Sequence, residues 1–547
     1  MRLRSMGVGC TGAILLRIAP VRGRDAARTH AARGLDALRT APRFAFQCGC
    51  HRTAEPLGAS MSATALLALI AALSAQAASP SPEPVFADRS AALGIEPSGQ
   101  HAAWCDANAD GWPDLRTNGA LWLNRGGEAF TRVEAPGEGV VADIDNDGVG
   151  DLVSFAPIAV ARGVRDGDSL RFEPLPLPEL PKTVSRGVAV GDFDGDGFVD
   201  AYFGGYEDWP TQTTYPSILL LNERGKGFRV ASTTSDRRTR GVTACDFDED
   251  GDLDLYRSNY RLQPNALLVN DGKAVFTDDA AARGAIATSE GFAGGHSIGA
   301  CFADFDNDGR FDLFAGNFAH VDSRGDQPKS RFLRNLGAAR DWNFEDKAEC
   351  GVWYQESYAS PAAGDFDNDG DLDLFLTTVY ATASFKKPNF PVLFRNDAAK
   401  AGAPWVFSDA TAGSGLESLP PTYQAAWADV NRDGRLDLAT AGKVFLNEGA
   451  RSAHWLGLRL RGDGFRVNRD AIGAQARVTL PDGRTLTRQV EVGTGEGNAN
   501  GPILHFGLGA HAGPVQVELR WPNGDTMSAR IDGVDRVLEL VLELPAP

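Results

Sequence analysis

Seven times this chain repeats one nine-residue phrase, Asp-x-Asp/Asn-x-Asp-Gly-x-x-Asp. The oxygen side chains at positions 1, 3, 5 and 9 are Asp106, Asn108, Asp110 and Asp114 in the first copy, then Asp143, Asp145, Asp147 and Asp151 in the second. Asp192, Asp194, Asp196 and Asp200 make the third, Asp246, Asp248, Asp250 and Asp254 the fourth, and Asp304, Asp306, Asp308 and Asp312 the fifth. Asp365, Asp367, Asp369 and Asp373 form the sixth, and Asp429, Asn431, Asp433 and Asp437 the seventh. Four such oxygens, a backbone carbonyl at position 7 and water can give a hard cation six or seven ligands at about 2.3–2.6 Å. The glycine at position 6 permits the turn that brings them together. Oxygen-only donors disfavour zinc and copper, and Mg²⁺ demands a stricter octahedron. The expectation is Ca²⁺, up to seven ions, held more weakly in the first and seventh loops, where Asn replaces one Asp. Seven copies that all keep the glycine and the last Asp are poorly explained as plain turns. An empty loop gathers like charges whose repulsion opposes folding until the ion binds, which gives the metal a structural role.

The elements around the loops are strands. Val188–Gly191 runs into the third loop and Ala201–Phe203 runs out of it, and the residue after the last Asp is apolar in every copy. An EF-hand would need flanking helices and an acidic twelfth position. Here that position holds Thr117, Ser154, Phe203, Arg257, Ala315, Leu376 and Thr440, so the EF-hand is excluded. Successive loops start 37 to 64 residues apart, which suits four-stranded propeller blades with growing insertions. An L-x-x-N-like phrase follows most loops and ends on Asn124, Asn222, Asn270, Asn335, Asn396 and Asn447. Blade two lacks a clear copy. An aromatic strand comes next, starting near Phe130, Phe172, Phe228, Phe276, Phe344 and Phe407. One further copy, from Phe86, precedes the first loop, and none follows the seventh. The N-terminal segment is thus expected to supply the outer strand that the last blade lacks, which removes a sheet edge. The predicted fold is all-β: a seven-bladed β-propeller over residues 85–450, then a small β-sandwich or barrel over 451–547.

The repeats resemble the FG-GAP/VCBS repeats of integrin α-like propellers. The last segment resembles the ASPIC/UnbV domain that often follows them, through Asn468–Ala474, His505–Gly509 and Val517–Gly524. The match covers nearly all of residues 84–540, as in the cartilage acidic protein-like family. The resemblance implies an extracellular, calcium-binding, adhesive or scaffold role and fixes no ligand.

Residues 61–78 combine an apolar run with Ala75-Gln76-Ala77 and read as a secretory signal peptide, with a Ser/Pro linker over 79–84. Residues 1–60, Arg- and Ala-rich without periodicity, read as a mis-annotated or disordered leader; an organelle transit segment is the alternative. The protein is therefore expected to be secreted, periplasmic or at the cell surface, without a membrane span. The formal charge of −18 over 547 residues resides largely in the loops. No basic stripe exists to neutralise phosphates, so nucleic acid is not an expected partner. Cys105 and Cys245 precede loops at a slot that is always small, a packing role. A Cys301–Cys350 disulfide stays open.

All seven loops should lie on one face. The opposite face collects Tyr206, Trp209, Tyr215, Tyr260, His320, Tyr380 and Phe385 in insertions, with His101, Arg186, Arg240, His296, Trp353, Tyr358 and Tyr423 ahead of the inner strands. Aromatics mixed with Arg and His suit an extracellular glycan or protein. The Arg-Gly-Asp triplets at 324–326 and 461–463 read as chance. The expected function is a secreted, non-catalytic binding or adhesion module. A calcium-dependent polysaccharide lyase or hydrolase is one alternative, although no catalytic motif is visible. A structural component of a secreted complex is the other.

Overall fold

The structure is a computed structural model that describes residues 15–20 and 86–543, apart from 97, 118, 383, 385, 398–404 and 451. The signal-peptide and linker segments, and most of the leader, lie outside the described residues. The described chain is all-β, with one four-residue α-helix, Ala280–Arg283, and one 3-10 turn, Ala338–Arg340. No helix among the described residues is long and apolar enough to cross a membrane.

Seven four-stranded antiparallel sheets follow one another from residue 86 to residue 447. In the third sheet the order is Ser185–Gly191, Asp200–Gly205, Ser217–Asn222 and Phe228–Thr234. The nine-residue phrase always joins the first strand to the second, and its last Asp opens the second strand. The glycines at position 6 take φ between +86° and +101°, a region only glycine occupies without strain. The seventh sheet draws Ala425–Ala428, Asp437–Thr440 and Lys443–Asn447 from one end of the chain and Phe86–Asp88 from the other. Phe86 pairs with Asn447 and Asp88 with Phe445, the strand exchange expected from the phase of the repeats. Phe86 then packs edge-on against Phe366 and tilted against Trp427.

The recurrent asparagines tie each sheet to the one before. Asn222 Nδ2 donates to the carbonyl of Ile144 at position 2 of the second loop. Asn270 does the same to Phe193, Asn335 to Phe247, Asn396 to Phe305 and Asn447 to Phe366, at 2.9–3.0 Å. The second sheet, without the asparagine, uses the Gly150 N–H on Ala107 at 2.9 Å. Asn124 of the first sheet donates to Val430 in the seventh loop at 2.9 Å.

Two further sheets follow. One contains His454–Arg461, Leu504–Gly509 and Arg536–Glu543, and the other contains Gln475–Thr479, Thr485–Gln489, Val515–Arg520 and Thr526–Ile531. Leu15–Pro20 adds an outer strand to the first of these, beside Arg536–Glu543; the sequence reading placed no strand there. A single buried apolar cluster runs from Val140, Val190 and Phe203 to Leu456, Val478 and Leu519, so these sheets share a core with the repeats.

The connection 493–501, Gly-Thr-Gly-Glu-Gly-Asn-Ala-Asn-Gly, leaves these sheets and runs among the first strands of the repeats. Trp104 N–H donates to Ala499 O, Val242 N–H to Gly495 O and Gly501 N–H to Trp427 O, at 2.7–2.8 Å. Side chains would obstruct this route. A Cβ on Gly187 would lie 2.5 Å from the Gly495 carbonyl oxygen, and one on Gly241 3.0 Å from the Gly495 Cα.

Candidate metal centres and the opposing aromatic bowl

Each loop is shaped by its own aspartates. In the first, second, third, fifth and seventh loops the position-1 carboxylate accepts from the N–H groups of positions 5 and 6: Asp192 takes Asp196 at 3.0 Å and Gly197 at 2.8 Å. The position-5 carboxylate accepts from position 7, as Asp196 does from Phe198 at 3.0 Å. The position-9 carboxylate links loop to sheet: Asp200 accepts from Phe193 N–H at 2.9 Å and Asn222 N–H at 2.7 Å. The carboxylates that then converge are those of positions 1, 3 and 9 in the second, third and sixth loops and of positions 1, 3 and 5 in the fourth and fifth.

Five loops bring three carboxylates within 4.8 Å of one another. The groups are Asp143, Asp145 and Asp151; Asp192, Asp194 and Asp200; Asp246, Asp248 and Asp250; Asp304, Asp306 and Asp308; and Asp365, Asp367 and Asp373. Several of their oxygens are buried without a hydrogen-bond partner: Asp194 Oδ1, Asp246 Oδ1, Asp248 Oδ1, Asp365 Oδ1 and both oxygens of Asp367. A buried carboxylate oxygen left unpaired carries a desolvation cost that a bound cation removes. The donor chemistry and these orphaned atoms fit Ca²⁺. Burial, then the neighbouring charges, pushes Asp192 and Asp367 up to about 7. Asp246 reaches about 8 for the same reasons, with the Arg520 guanidinium pulling the other way.

The first and seventh loops form no such group of three acids. In the first, Asn108 replaces a carboxylate, and the buried Arg459 guanidinium pairs with Asp106. In the seventh, Arg435 pairs with Asp433.

The C-terminal sheets lie over the loops. The Asp470 carboxylate accepts from Asp143 N–H at 2.8 Å, and Gly507 N–H donates to Asp365 Oδ2 at 3.0 Å. Arg477 and Arg520 converge on Glu249 at 2.7 and 3.2 Å, and Arg484 reaches Asp371 at 3.3 Å.

At the other end of the sheets, the residues six places after the last Asp are Tyr206, Tyr260 and Phe318 in sheets three to five. A chain of aromatic contacts runs from Tyr206 to Tyr260 at 6.2 Å, to His296 at 4.6 Å and to His320 at 5.2 Å. It continues through Phe318 at 4.3 Å to Tyr380 at 5.7 Å. Arg240, itself buried, sets its guanidinium over Tyr206, Tyr260 and Tyr423 at 5.3–5.6 Å and pairs with Glu496 at 2.5 Å. Glu496 is the tip of the 493–501 connection. Arg261 lies over the exposed Trp209 ring at 3.4 Å, and Glu207 holds both Arg238 and Arg261 at 2.8 and 3.0 Å. Glu356 accepts from His320 Nδ1 at 2.8 Å. His296 Nε2 is buried without a partner.

Other flagged residues fall elsewhere. Trp353 and Tyr358 pack with Phe394 beside the sixth sheet, Tyr215 is buried under Lys182, and His101 meets the Gly497 carbonyl at 3.1 Å. Arg186 is exposed, 6.0 Å from Tyr206, and Phe385 lies outside the described residues. Cys105, Cys245, Cys301 and Cys350 are free thiols, the first three buried. In the triplet 461–463, Asp463 is tied to the N–H groups of Phe465, Arg466 and Val467; in the triplet 324–326, Arg324 folds back on Asp322.

Residues 464–543 match the family model described as ASPIC and UnbV, and residues 246–315 match that of the FG-GAP-like repeat. The chain carries FG-GAP-like repeats and an ASPIC and UnbV segment. It is similar to Cartilage acidic protein 1 of Mus musculus, 27% identical over 382 residues that cover 65% of this chain and 54% of that protein. The Homo sapiens protein of that name is 27% identical over 395 residues, covering 66% and 55%. The chain thus spans about half the length of the curated relatives it matches. Among solved structures, a lectin of Agrocybe aegerita that recognises non-reducing terminal N-acetylglucosamine has 16% identity and a TM-score of 0.36 over 58% of this chain and 84% of that one, too low to carry an argument.

The sequence reading of the FG-GAP-like loops missed two things. One is Glu496, which a lone acid in a Gly-rich connection does not announce. The other is the set of ASPIC and UnbV residues, Asp470 and Gly507 among them, that dock on the loops. The glycines at 187, 241 and 299, each five residues before a loop, were the available signal that another backbone comes close.

Proposed function

We propose that this chain is a secreted, seven-bladed β-propeller stabilised by calcium, and that it binds an extracellular glycan or protein on the face opposite its metal loops. The observation that carries the reading is the set of five three-carboxylate groups, with orphaned buried oxygens, at one end of the sheets. The asparagine bonds support closure, because the series that starts at the first sheet returns to it through Asn124 and Val430. The strand Phe86–Asp88 supports it too, since it completes the seventh sheet with a fourth, outer strand from the opposite end of the repeats. Secretion rests on the signal-like segment 61–78 and on sites of a type that fill at extracellular calcium levels, about 10⁻⁴–10⁻³ M. The test is metal counting on the purified chain after equilibration with calcium. Five or more ions per chain are expected, and Asp367→Asn together with Asp365→Asn should remove one. Retention of fewer than three ions would contradict the reading.

A further inference from the structure

We propose that the ASPIC and UnbV segment builds the two tightest metal sites of this chain, those of the fourth and sixth loops, and that ions held there in turn fasten the segment to the repeats. The inference rests on the reading above that the loops take calcium, and it adds which loops bind most tightly and what their filling controls.

Two observations carry it. The first is a break in the repeat. In five loops Oδ1 of the position-1 aspartate is occupied by the N–H of position 5, at 3.0–3.1 Å. In the fourth and sixth loops that oxygen, on Asp246 and Asp365, is buried and takes no hydrogen. The position-3 carboxylates beside them, Asp248 and Asp367, also leave buried oxygens unpaired, so two adjacent ligands are free at once. The third loop frees an oxygen only at position 3, on Asp194, and the fifth sets Arg334 against Asp306. An oxygen that shares its lone pairs with no donor is the better cation ligand, and its burial costs free energy that an ion removes.

The second observation is what replaces the missing bond. In the sixth loop Gly507 N–H joins Gly370 N–H on Asp365 Oδ2, at 3.0 and 3.1 Å, and Oδ1 stays free. Gly509 N–H donates to the Asn368 carbonyl, at position 4, at 2.9 Å. In the fourth loop Asp246 is held by its main chain: its N–H donates to Gln489 Oε1 at 3.2 Å and its carbonyl accepts from Gln475 Nε2 at 2.8 Å. Arg520 donates to the Glu249 carbonyl, again at position 4, at 2.7 Å. A loop fixed from outside at positions 1 and 4 keeps its shape without engaging Oδ1. The second loop is gripped at the same positions, by Asp470 on Asp143 N–H and by Arg469 N–H on Asn146. There Asp143 keeps both donors of its own loop, and no oxygen is released. Docking and ion binding are linked: the factor by which the segment strengthens the ion is the factor by which the ion strengthens docking.

The test is calorimetric titration of calcium into the chelator-stripped full chain. Two ions that bind at least tenfold tighter than the rest are expected. Asp246→Asn and Asp365→Asn should each remove one ion of the tight class, whereas Asp194→Asn should remove one of the weaker ions. A Cβ on Gly507 would lie 2.2 Å from Asp365 Oδ2, so Gly507→Ala should weaken one tight ion at least tenfold. Gln489→Ala should do the same to the other. Hydrogen exchange at the Gly507 and Gly509 amides reads the docking: protection should rise as the tight class fills and gain nothing from the weaker ions. Ions that all bind as one class, a tight class untouched by these four substitutions in the fourth and sixth sites, or amide protection indifferent to calcium would overturn the inference and leave the calcium reading standing. Fewer than three ions in all would sink that reading itself.

Discussion

The smallest unit of this architecture is one asparagine beside one aspartate. In the fifth sheet, Asn335 N–H donates to Asp312, its Nδ2 donates to Phe247 and Phe311, and its Oδ1 accepts from Gly337 N–H, so one side chain joins a strand, its own loop and the preceding loop. Asn335→Ala leaves two carbonyls and an N–H without these partners. A cost of roughly 2–4 kcal/mol is expected, read as a lower urea midpoint with an unchanged slope. A second residue-scale prediction concerns Glu491. It lines a cavity of about 90 Å³ beside Cys301, Thr494 and Asn500. Burial pushes its carboxyl up to about 7, with Asn500 pulling the other way. The folded state therefore keeps a proton that the unfolded chain releases near pH 4.5. This contribution is fully present below that pH and is lost as pH rises toward 7. Glu491→Gln should flatten that decline and raise stability at pH 8 by up to about 3 kcal/mol, measured by denaturation at a series of pH values. Stability that falls with pH as steeply in the variant would contradict the assignment.

At the scale of elements, what was legible in the sequence is what repeats. The loops, the strands that enter and leave them, and the pairing of Phe86–Asp88 with Lys443–Asn447 follow from period and phase, because each copy supplies the same backbone instruction. What does not repeat stayed hidden. The connection 493–501 occurs once, and its route is set by tertiary contacts that no local pattern encodes. The aromatic cluster was half legible: Tyr206, Tyr260, His296 and Tyr423 stood out by type, but their convergence depends on contacts between sheets far apart in sequence. Two predictions belong here. Phe86→Ala removes a buried ring from between Phe366 and Trp427, so a loss of about 3–5 kcal/mol is expected, checked by chemical denaturation. Gly241→Ala forces a methyl against Ile298 O and Gly495, so the connection should be displaced. Limited proteolysis should then cut within 493–501 in the variant and not in the parent.

For the whole molecule, charge and closure act together. Five groups of acids sit at one end of the sheets, and the C-terminal sheets bring Arg459, Arg477, Arg484 and Arg520 over the loops. Arg459 meets Asp106 of the first loop, Arg484 meets Asp371, and Arg477 and Arg520 meet Glu249, while oxygens in the third, fourth and sixth loops stay unpartnered. Arginine thus offsets the charge around the loops, while a divalent ion is what the loop centres are shaped to take. Ions that bind only the folded chain stabilise it in proportion to their occupancy. The most direct measurement is thermal melting of the full chain in millimolar calcium and again in excess chelator. The account predicts a melting temperature lower by on the order of 10 °C in chelator, restored when calcium is returned; an identical melting temperature in the two conditions would contradict it.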